Sequence, residues 1–259
     1  MNRYDDHSFV VCAYKESEFL EECIKSVLNQ TVKSNVLLAT STPNDYIKNL
    51  CEKYSIELFV NPVSGGGIGA DWNFAVSCCK TNLVTVAHQD DIYLPGYLEG
   101  ILKSYKPEER QILFASDYSL IIDGEVKENY RNMKVKRNIC KQFNNKLLGD
   151  KKWFKHRCLS FGCPIGCPSV TLQTKYTTKT PYVTGLSMTL DWLTWLTLSD
   201  LEGRFVFVDE KLMLHRRHEN SETANCVNNN IRPEEDLMML QKFWIKPIAL
   251  IIRKFFSKA

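Results

Sequence analysis

Two carboxylates stand side by side at Asp90 and Asp91, directly after His88 and Gln89 and the apolar run Leu83-Val84-Thr85-Val86-Ala87. Neighbouring carboxylates repel and lose solvation when enclosed, so they persist where a cation joins them or where water surrounds them. Mg2+ or Mn2+ is the usual cation, because it takes oxygen ligands and bridges to substrate phosphates. The same residues also fit a solvated turn whose aspartate caps a helix beginning near Pro95. A third carboxylate, Asp191, lies far along the chain among Leu190, Trp192, Leu193 and Trp195. Apolar surroundings raise a carboxylate's pKa toward that of a useful general base. On the plainer reading Asp191 is a polar residue on the wet face of a helix. A cationic run with two imidazoles, His215-Arg216-Arg217-His218, follows it.

The elements that must position these groups alternate. Ser8–Ala13, Asn35–Thr40, Ile56–Val60 and Leu83–Ala87 read as short buried strands. Between them come helical stretches: one from Ser17 as N-cap, with Phe19, Leu20, Cys23, Ile24, Val27 and Leu28 at helical spacing, one over Asp45–Tyr54, and one containing Trp72 and Phe74. Another helix starts at Pro95. Such alternation predicts an α/β fold, a doubly wound and mostly parallel sheet flanked by helices, which binds ligands beyond the carboxyl ends of its strands. Ile112–Ala115 and Leu120–Asp123 read as further strands, the second closing a hairpin at Asp123-Gly124. Beyond Lys127 the rhythm breaks into a Lys/Arg-rich region and the Gly/Pro/Cys-rich Phe161–Pro168. A helix returns at Met188–Leu198, then strands at Phe205–Val208 and Leu212–Leu214.

Five blocks, in order, carry a resemblance. Val10-Val11-Cys12-Ala13-Tyr14-Lys15-Glu16 followed by Leu20–Thr31, then Gly67–Ala75, Val84–Pro95, Leu190-Asp191-Trp192-Leu193, and His215–Ser221 together resemble the inverting glycosyltransferase family 2 over roughly residues 8–223. The resemblance implies a GT-A fold, a nucleotide-sugar donor, a divalent ion (Mn2+ or Mg2+) and transfer of a hexosyl or N-acetylhexosaminyl group. It further implies that Ala13, Tyr14 and Glu16 line the nucleobase and ribose pocket, with Asn73, Gln89, Asp90 and Arg216 completing the donor site. Asp90, Asp91 and His218 would be the metal ligands, and Asp191 the base that deprotonates the acceptor hydroxyl. The chemistry agrees: inverting displacement at a sugar carbon needs a base on the acceptor side and an electrophile on the leaving-group side. Three departures stand out. No acid follows the second strand, where Thr40 or Ser41 would hydrogen-bond a uracil instead. His88 or Gln89 replaces the first acid of the metal block, and Asp71-Trp72 stands where an arginine often precedes the family's asparagine.

Residues 1–228 then form the glycosyltransferase domain, with a donor half to about 126 and an acceptor half over about 127–228. In the acceptor half Trp153, Trp192 and Trp195 are candidates for stacking on sugars, and the Lys/Arg cluster at 131–157 for meeting a lipid-linked pyrophosphate. Residues 229–259 form a helical tail whose Phe243–Lys258 mixes aromatics, aliphatics and cations. That composition suits an anionic membrane surface, or docking on the protein's own body or a second subunit in a homodimer. No run reaches the length of a membrane span, and the first residues lack a secretory pattern. The expectation is a cytoplasmic protein peripheral on the cytosolic face of the membrane, acting on a glycan or lipid-linked acceptor in surface polysaccharide or glycolipid synthesis. Ten cysteines then read as free thiols, since Cys158, Cys163 and Cys167 miss the zinc spacing. A net charge of +3 excludes nucleic acid as the main partner. Two other readings remain: a degenerate nucleotide-sugar-binding or scaffold protein, and a nucleotidyltransferase, which would carry a Gly-rich basic loop after the first strand that Ala13–Glu16 does not supply.

Overall fold

The computed structural model describes residues 2–63, 65–128, 132–218 and 231–256. Glu219, Asn220 and Ser221 of the closing block, Cys226, Ser64, Arg131 and residues 257–259 lie outside them. The chain runs β1 (Arg3–Ala13), α1 (Leu20–Leu28), β2 (Lys33–Thr40), α2 (Asp45–Tyr54), β3 (Glu57–Val60), α3 (Ile68–Cys78), β4 (Leu83–His88) and β5 (Ile92–Tyr93). Next come α4 (Tyr97–Ser104), β6 (Gln111–Ile122), β7 (Glu125–Lys127), α5 (Met133–Gln142) and α6 (Lys152–Leu159). A 3-10 turn (Cys167–Ser169), β8 (Val170–Gln173), α7 (Leu190–Ser199), β9 (Arg204–Arg217), α8 (Ile231–Leu240) and α9 (Lys246–Phe256) complete it.

The strands form one sheet in the order β3-β2-β1-β4-β8-β6-β9-β5, with β7 hairpinned onto β6. β3, β2, β1 and β4 are mutually parallel, β8 runs antiparallel between β4 and β6, and β9 is parallel to β6. Both faces are covered, so the central strands are apolar throughout rather than alternating. Within β1, Phe9 and Val11 belong to the core on one face and Val10 to the core on the other. In the β6–β7 hairpin Asp123 and Gly124 both have positive φ (53° and 76°), as the tight turn expected there requires.

The first half follows the expected pattern closely, and Asn44 caps α2 by accepting the Ile47 N–H at 2.9 Å. Other elements differ. Ser17 does not cap α1, which begins at Leu20 without a side-chain cap. The strands expected at 112–115 and 120–123 are one strand, β6, and those expected at 205–208 and 212–214 are one strand, β9. The two long strands pair with each other through register shifts around Asp117. Polar Ser116, Asp117 and Ser119 resemble a loop in sequence, but Asp117 is buried against Arg137, whose Nε donates to it at 2.5 Å. Trp192 and Trp195 are core residues and present no face to a sugar, whereas Trp153 is exposed.

The tail packs on the body. Met239, Leu240 and Ala249 are enclosed in the same core as Trp192 and Trp195, and Trp244 Nε1 donates to Ser160 O at 2.7 Å. Its outer face leaves Ile245, Ile248 and Ile251 exposed. Among the described residues no helix is long and apolar enough to cross a membrane. The nine described cysteines are free thiols.

Candidate active site

Chain direction reverses its winding between β1 and β4: β2 and β3 build outward on one side of β1, and β4 lies on the other. A crevice opens at such a switch point beyond the strand ends. Ala13, buried, ends β1, and Tyr14 and Glu16 stand exposed on the rim just beyond it. Gln89 closes the crevice floor. Its Oε1 accepts the Tyr14 N–H at 2.9 Å and its Nε2 donates to Tyr14 O at 3.2 Å, so the amide joins the two strand ends. Lys15 adopts a left-handed φ of 55°, a conformation that costs an ordinary residue roughly 1–2 kcal/mol. Its N–H is held by Thr42 Oγ1 at 2.5 Å, which ties the loop after β1 to the loop after β2.

In the second loop, buried Thr40 accepts the Thr42 N–H at 3.0 Å, and Ser41 Oγ donates to Asp71 Oδ2 at 2.9 Å. Asn61 Nδ2 donates to the other oxygen of Asp71 at 3.0 Å. The acid absent from the end of β2 in sequence is therefore supplied in space from the first turn of α3. Asn73 is placed differently from the expectation that it contacts the donor. Its Nδ2 donates to Tyr182 O at 2.7 Å and its Oδ1 accepts the Tyr182 N–H at 2.8 Å, both buried. Its amide is thus consumed in holding the 182–184 segment, where a Cβ on Gly69 would fall 2.4 Å from Val183 O. Replacing Asn73 by alanine leaves two buried backbone groups unpaired, each costing about 1–3 kcal/mol. The expected result is a clear drop in melting temperature, measured by calorimetry, with nucleotide affinity little changed per folded molecule.

The carboxylates follow β4. Asp91 is fully buried: its Oδ1 accepts from His215 Nδ1 at 3.0 Å and from the Arg216 N–H at 2.8 Å, while its Oδ2 has no hydrogen-bond partner. Burial pulls the His215 pKa down, but the Asp91 carboxylate outweighs it and holds the imidazole above its usual range. Asp90 Oδ2 lies 3.1 Å from His218 Nε2. Arg216 Nε donates to Asp90 O at 3.0 Å, its terminal nitrogen reaches Glu22 at 2.5 Å, and its guanidinium lies over the Phe19 ring. The end of strand β9 delivers His215 and Arg216 to the carboxylates, and His218 follows directly beyond it. His88, stacked on Trp72 with ring centroids 4.6 Å apart, completes a group of three metal-competent side chains with Asp90 and Asp91, ligand atoms within 4.8 Å of one another. The orphaned, buried Asp91 oxygen and the oxygen-rich donor set fit Mn2+ or Mg2+.

Asp191 sits in the first turn of α7 and accepts the Trp192 N–H at 2.6 Å and the Cys163 thiol at 3.5 Å. Burial raises its pKa, against the opposing pull of the Trp192 N–H and of nearby Lys136. Asp191 makes no direct contact with the Asp90–Asp91 pair. Buried Cys167 feels both sides, its thiol pushed well up by burial and then by Asp191 and Asp91. The start of α7 lacks a cap of its own, and Glu235 from α8 supplies one. Its carboxylate accepts the N–H groups of Ser187, Met188 and Thr189 at 3.0, 2.8 and 2.9 Å.

Sequence reasoning missed His88, His215, Asp71 and Glu235. His88 adjoins the carboxylates and was legible as a ligand by type; Asp71 and Glu235 come from distant elements and left no local pattern.

A mostly parallel sheet covered by helices on both faces, with a carboxylate–imidazole cluster directly after β4, has the architecture of a GT-A glycosyltransferase fold. The family model for glycosyl transferase family 2 matches residues 8–163, more than half of the chain, and the chain belongs to that family. A relative in sequence is the glycosyltransferase GlyG of Streptococcus pneumoniae serotype 4, 20% identical over 117 residues. The match spans 43% of this chain and about two fifths of that relative (39%). Among solved structures, S. aureus TarS 1-349 in complex with UDP-GlcNAc superposes with a TM-score of 0.66 at 14% identity, covering 97% of this chain and 71% of that one. The mannosyltransferase PcManGT from Pyrobaculum calidifontis, in complex with GDP-Man and Mn2+, gives 0.62 at 11% identity, covering 92% of this chain and 64% of that one. At these identities the likeness establishes the fold.

Proposed function

We propose that this protein is a metal-dependent inverting glycosyltransferase that moves a sugar from a nucleotide-sugar, a UDP-sugar by preference, to a hydroxyl of a glycan or lipid-linked acceptor. The observation that carries this reading is the fully buried Asp91, one oxygen unpaired, beside Asp90 at the switch-point crevice. A Mn2+ or Mg2+ ion held by Asp90, Asp91 and His218 would offset the charge of the donor's diphosphate. Ala13, Tyr14 and Glu16 flank the nucleoside. Thr40 and Ser41 border it, and Asp71, oriented by Ser41 and Asn61, accepts the imide N–H of the base. Arg216 faces the phosphates, and Gln89 keeps the two strand ends in register. Asp191 takes the proton of the acceptor hydroxyl. That oxygen attacks the anomeric carbon from the face opposite the diphosphate, and the carbon–oxygen bond to the diphosphate breaks with its electron pair leaving on the phosphate oxygen.

Thermal unfolding with UDP, GDP, TDP and CDP, with and without Mn2+, tests the donor site. A ligand at about 100 times its dissociation constant stabilises by about 2.7 kcal/mol, which moves the midpoint by roughly 2–4 °C per kcal/mol for a chain of this size. The expected result is a shift with UDP that requires Mn2+ and disappears in Asp90→Asn. Absence of a shift with every nucleotide would remove the donor site.

The outer face of the tail supports acceptor delivery at a membrane. Ile245, Ile248 and Ile251 are exposed beside Lys246 and Lys254, the pairing of apolar and cationic groups that anionic lipid attracts. This pairing supports our reading of a peripheral protein that extends surface polysaccharide or glycolipid acceptors from the cytosolic face of the membrane. Sedimentation with phosphatidylglycerol vesicles is expected to pull down the wild-type chain, and to fail with Ile248→Glu/Ile251→Glu or with uncharged vesicles.

A further inference from the structure

We infer that His88 is a nitrogen ligand of the divalent ion, and that it makes this site select Mn2+ over Mg2+. The inference rests on the metal-dependent reading above and concerns which atoms hold the ion. His88 Nδ1 stands 4.0 Å from Asp91 Oδ2, and among the described residues the buried Asp91 Oδ2 has no hydrogen-bond partner. A gap of 4.0 Å is too wide for a hydrogen bond. It is close to the separation of two donors that share an ion at about 2.1 Å each. An unpaired carboxylate oxygen in an enclosed place is costly, and an ion shared with His88 Nδ1 would satisfy it. The Trp72 ring, stacked against His88 at an interplanar angle of 19°, fixes the plane of the imidazole and keeps it turned toward the carboxylates.

The chemical consequence follows from ligand type. Oxygen-only sites suit Mg2+, whereas imidazole favours the later divalent ions, and Mn2+ accepts both oxygen and nitrogen. His218, 3.1 Å from Asp90, and His215, 3.0 Å from Asp91, are further imidazoles at the same place, so the test must separate His88 from both.

Mn2+ bound to the full-length protein with UDP would be examined by pulsed electron paramagnetic resonance, reading the 14N modulation from coordinated imidazole. His218→Gln is expected to retain this modulation, and His88→Gln/His218→Gln to lose it while still binding Mn2+. Calorimetry gives an independent measure. Wild type is expected to bind Mn2+ at least about tenfold more tightly than Mg2+, and His88→Asp to erase most of that ratio, in line with the roughly 10–100-fold effects of altered metal environments. Unliganded melting curves establish that each variant folds. Unchanged 14N modulation in the double variant, or an unchanged Mn2+/Mg2+ ratio in His88→Asp, overturns the role of His88 and leaves metal dependence standing. Failure of the wild-type chain to bind either ion with UDP overturns both.

Discussion

Replacing Asp191 by asparagine is expected to abolish turnover and at the same time raise the melting temperature at neutral pH. The two effects share one cause. Burial raises the Asp191 pKa above the ordinary aspartate range, so the folded protein holds the ionised carboxylate at a cost. That cost is fully present above the folded pKa, and it is lost as pH falls below the lower, unfolded value. Asparagine keeps the shape and removes the charge, and with it the base. Loss of a positioned base lowers rate by about 100- to 10,000-fold. The rate of the wild-type enzyme should accordingly fall on the acid side with a midpoint above that of an ordinary aspartate. Melting curves from pH 4.5 to 8 should show the variant more stable at the alkaline end and the two proteins converging toward acid. Equal melting temperatures throughout, or a variant with wild-type turnover, would remove Asp191 from the role of base.

The second large effect is expected at Asp91. Where Asp191 meets a backbone N–H and a thiol, Asp91 meets an imidazole: His215 and the Arg216 N–H converge on one oxygen. Asp91→Ala removes the hydrogen-bonded carboxylate from His215 and strands the Arg216 N–H. Removing one member of a buried pair costs about 3–5 kcal/mol, or several degrees to nearly twenty at about 2–4 °C per kcal/mol. The variant should also lose every Mn2+-dependent shift with UDP. Asp90→Asn should lose that shift with much less damage to the unliganded fold, since Asp90 is partly exposed and, among the described residues, its carboxylate pairs with His218. Differential scanning calorimetry of the two variants distinguishes them. Equal unliganded stabilities would show that Asp91 is no structural keystone.

These contrasts also explain what the sequence made legible. β1, β2 and β4 are buried on both faces, and a strand buried on both faces announces itself as a continuous apolar run. The carboxylates after β4 were visible because the fold class puts ligands at strand ends. β5 and β8 were not visible: one is two residues long, and the other follows a Gly/Pro/Cys-rich stretch that reads as loop. β6 and β9 were split in two because polar residues at their centres, Asp117 and Asp209-Glu210, interrupt the apolar pattern. Tertiary partners accommodate that polarity, Arg137 at Asp117 and Lys141 at Asp209. Asn73 illustrates the opposite limit. Its position beside a glycine-rich loop suggested ligand contact, yet its amide is spent on the Tyr182 backbone, a partner more than a hundred positions away. Asp71 fills the place of an acid missing elsewhere in the chain, a substitution in space that no linear pattern records.

The Glu235 cap has a bearing on which parts of the tail can change. Three backbone N–H groups in the segment leading into α7 close on one carboxylate from the tail. The tail therefore carries two kinds of position. Ile245, Ile248 and Ile251 face outward, away from that contact. Glu235, Met239, Leu240 and Ala249 face inward, toward the entry to α7 and the core beneath it. Changes along the outer stripe should leave α7 where it is, whereas a chain without the segment would need another anchor for that entry.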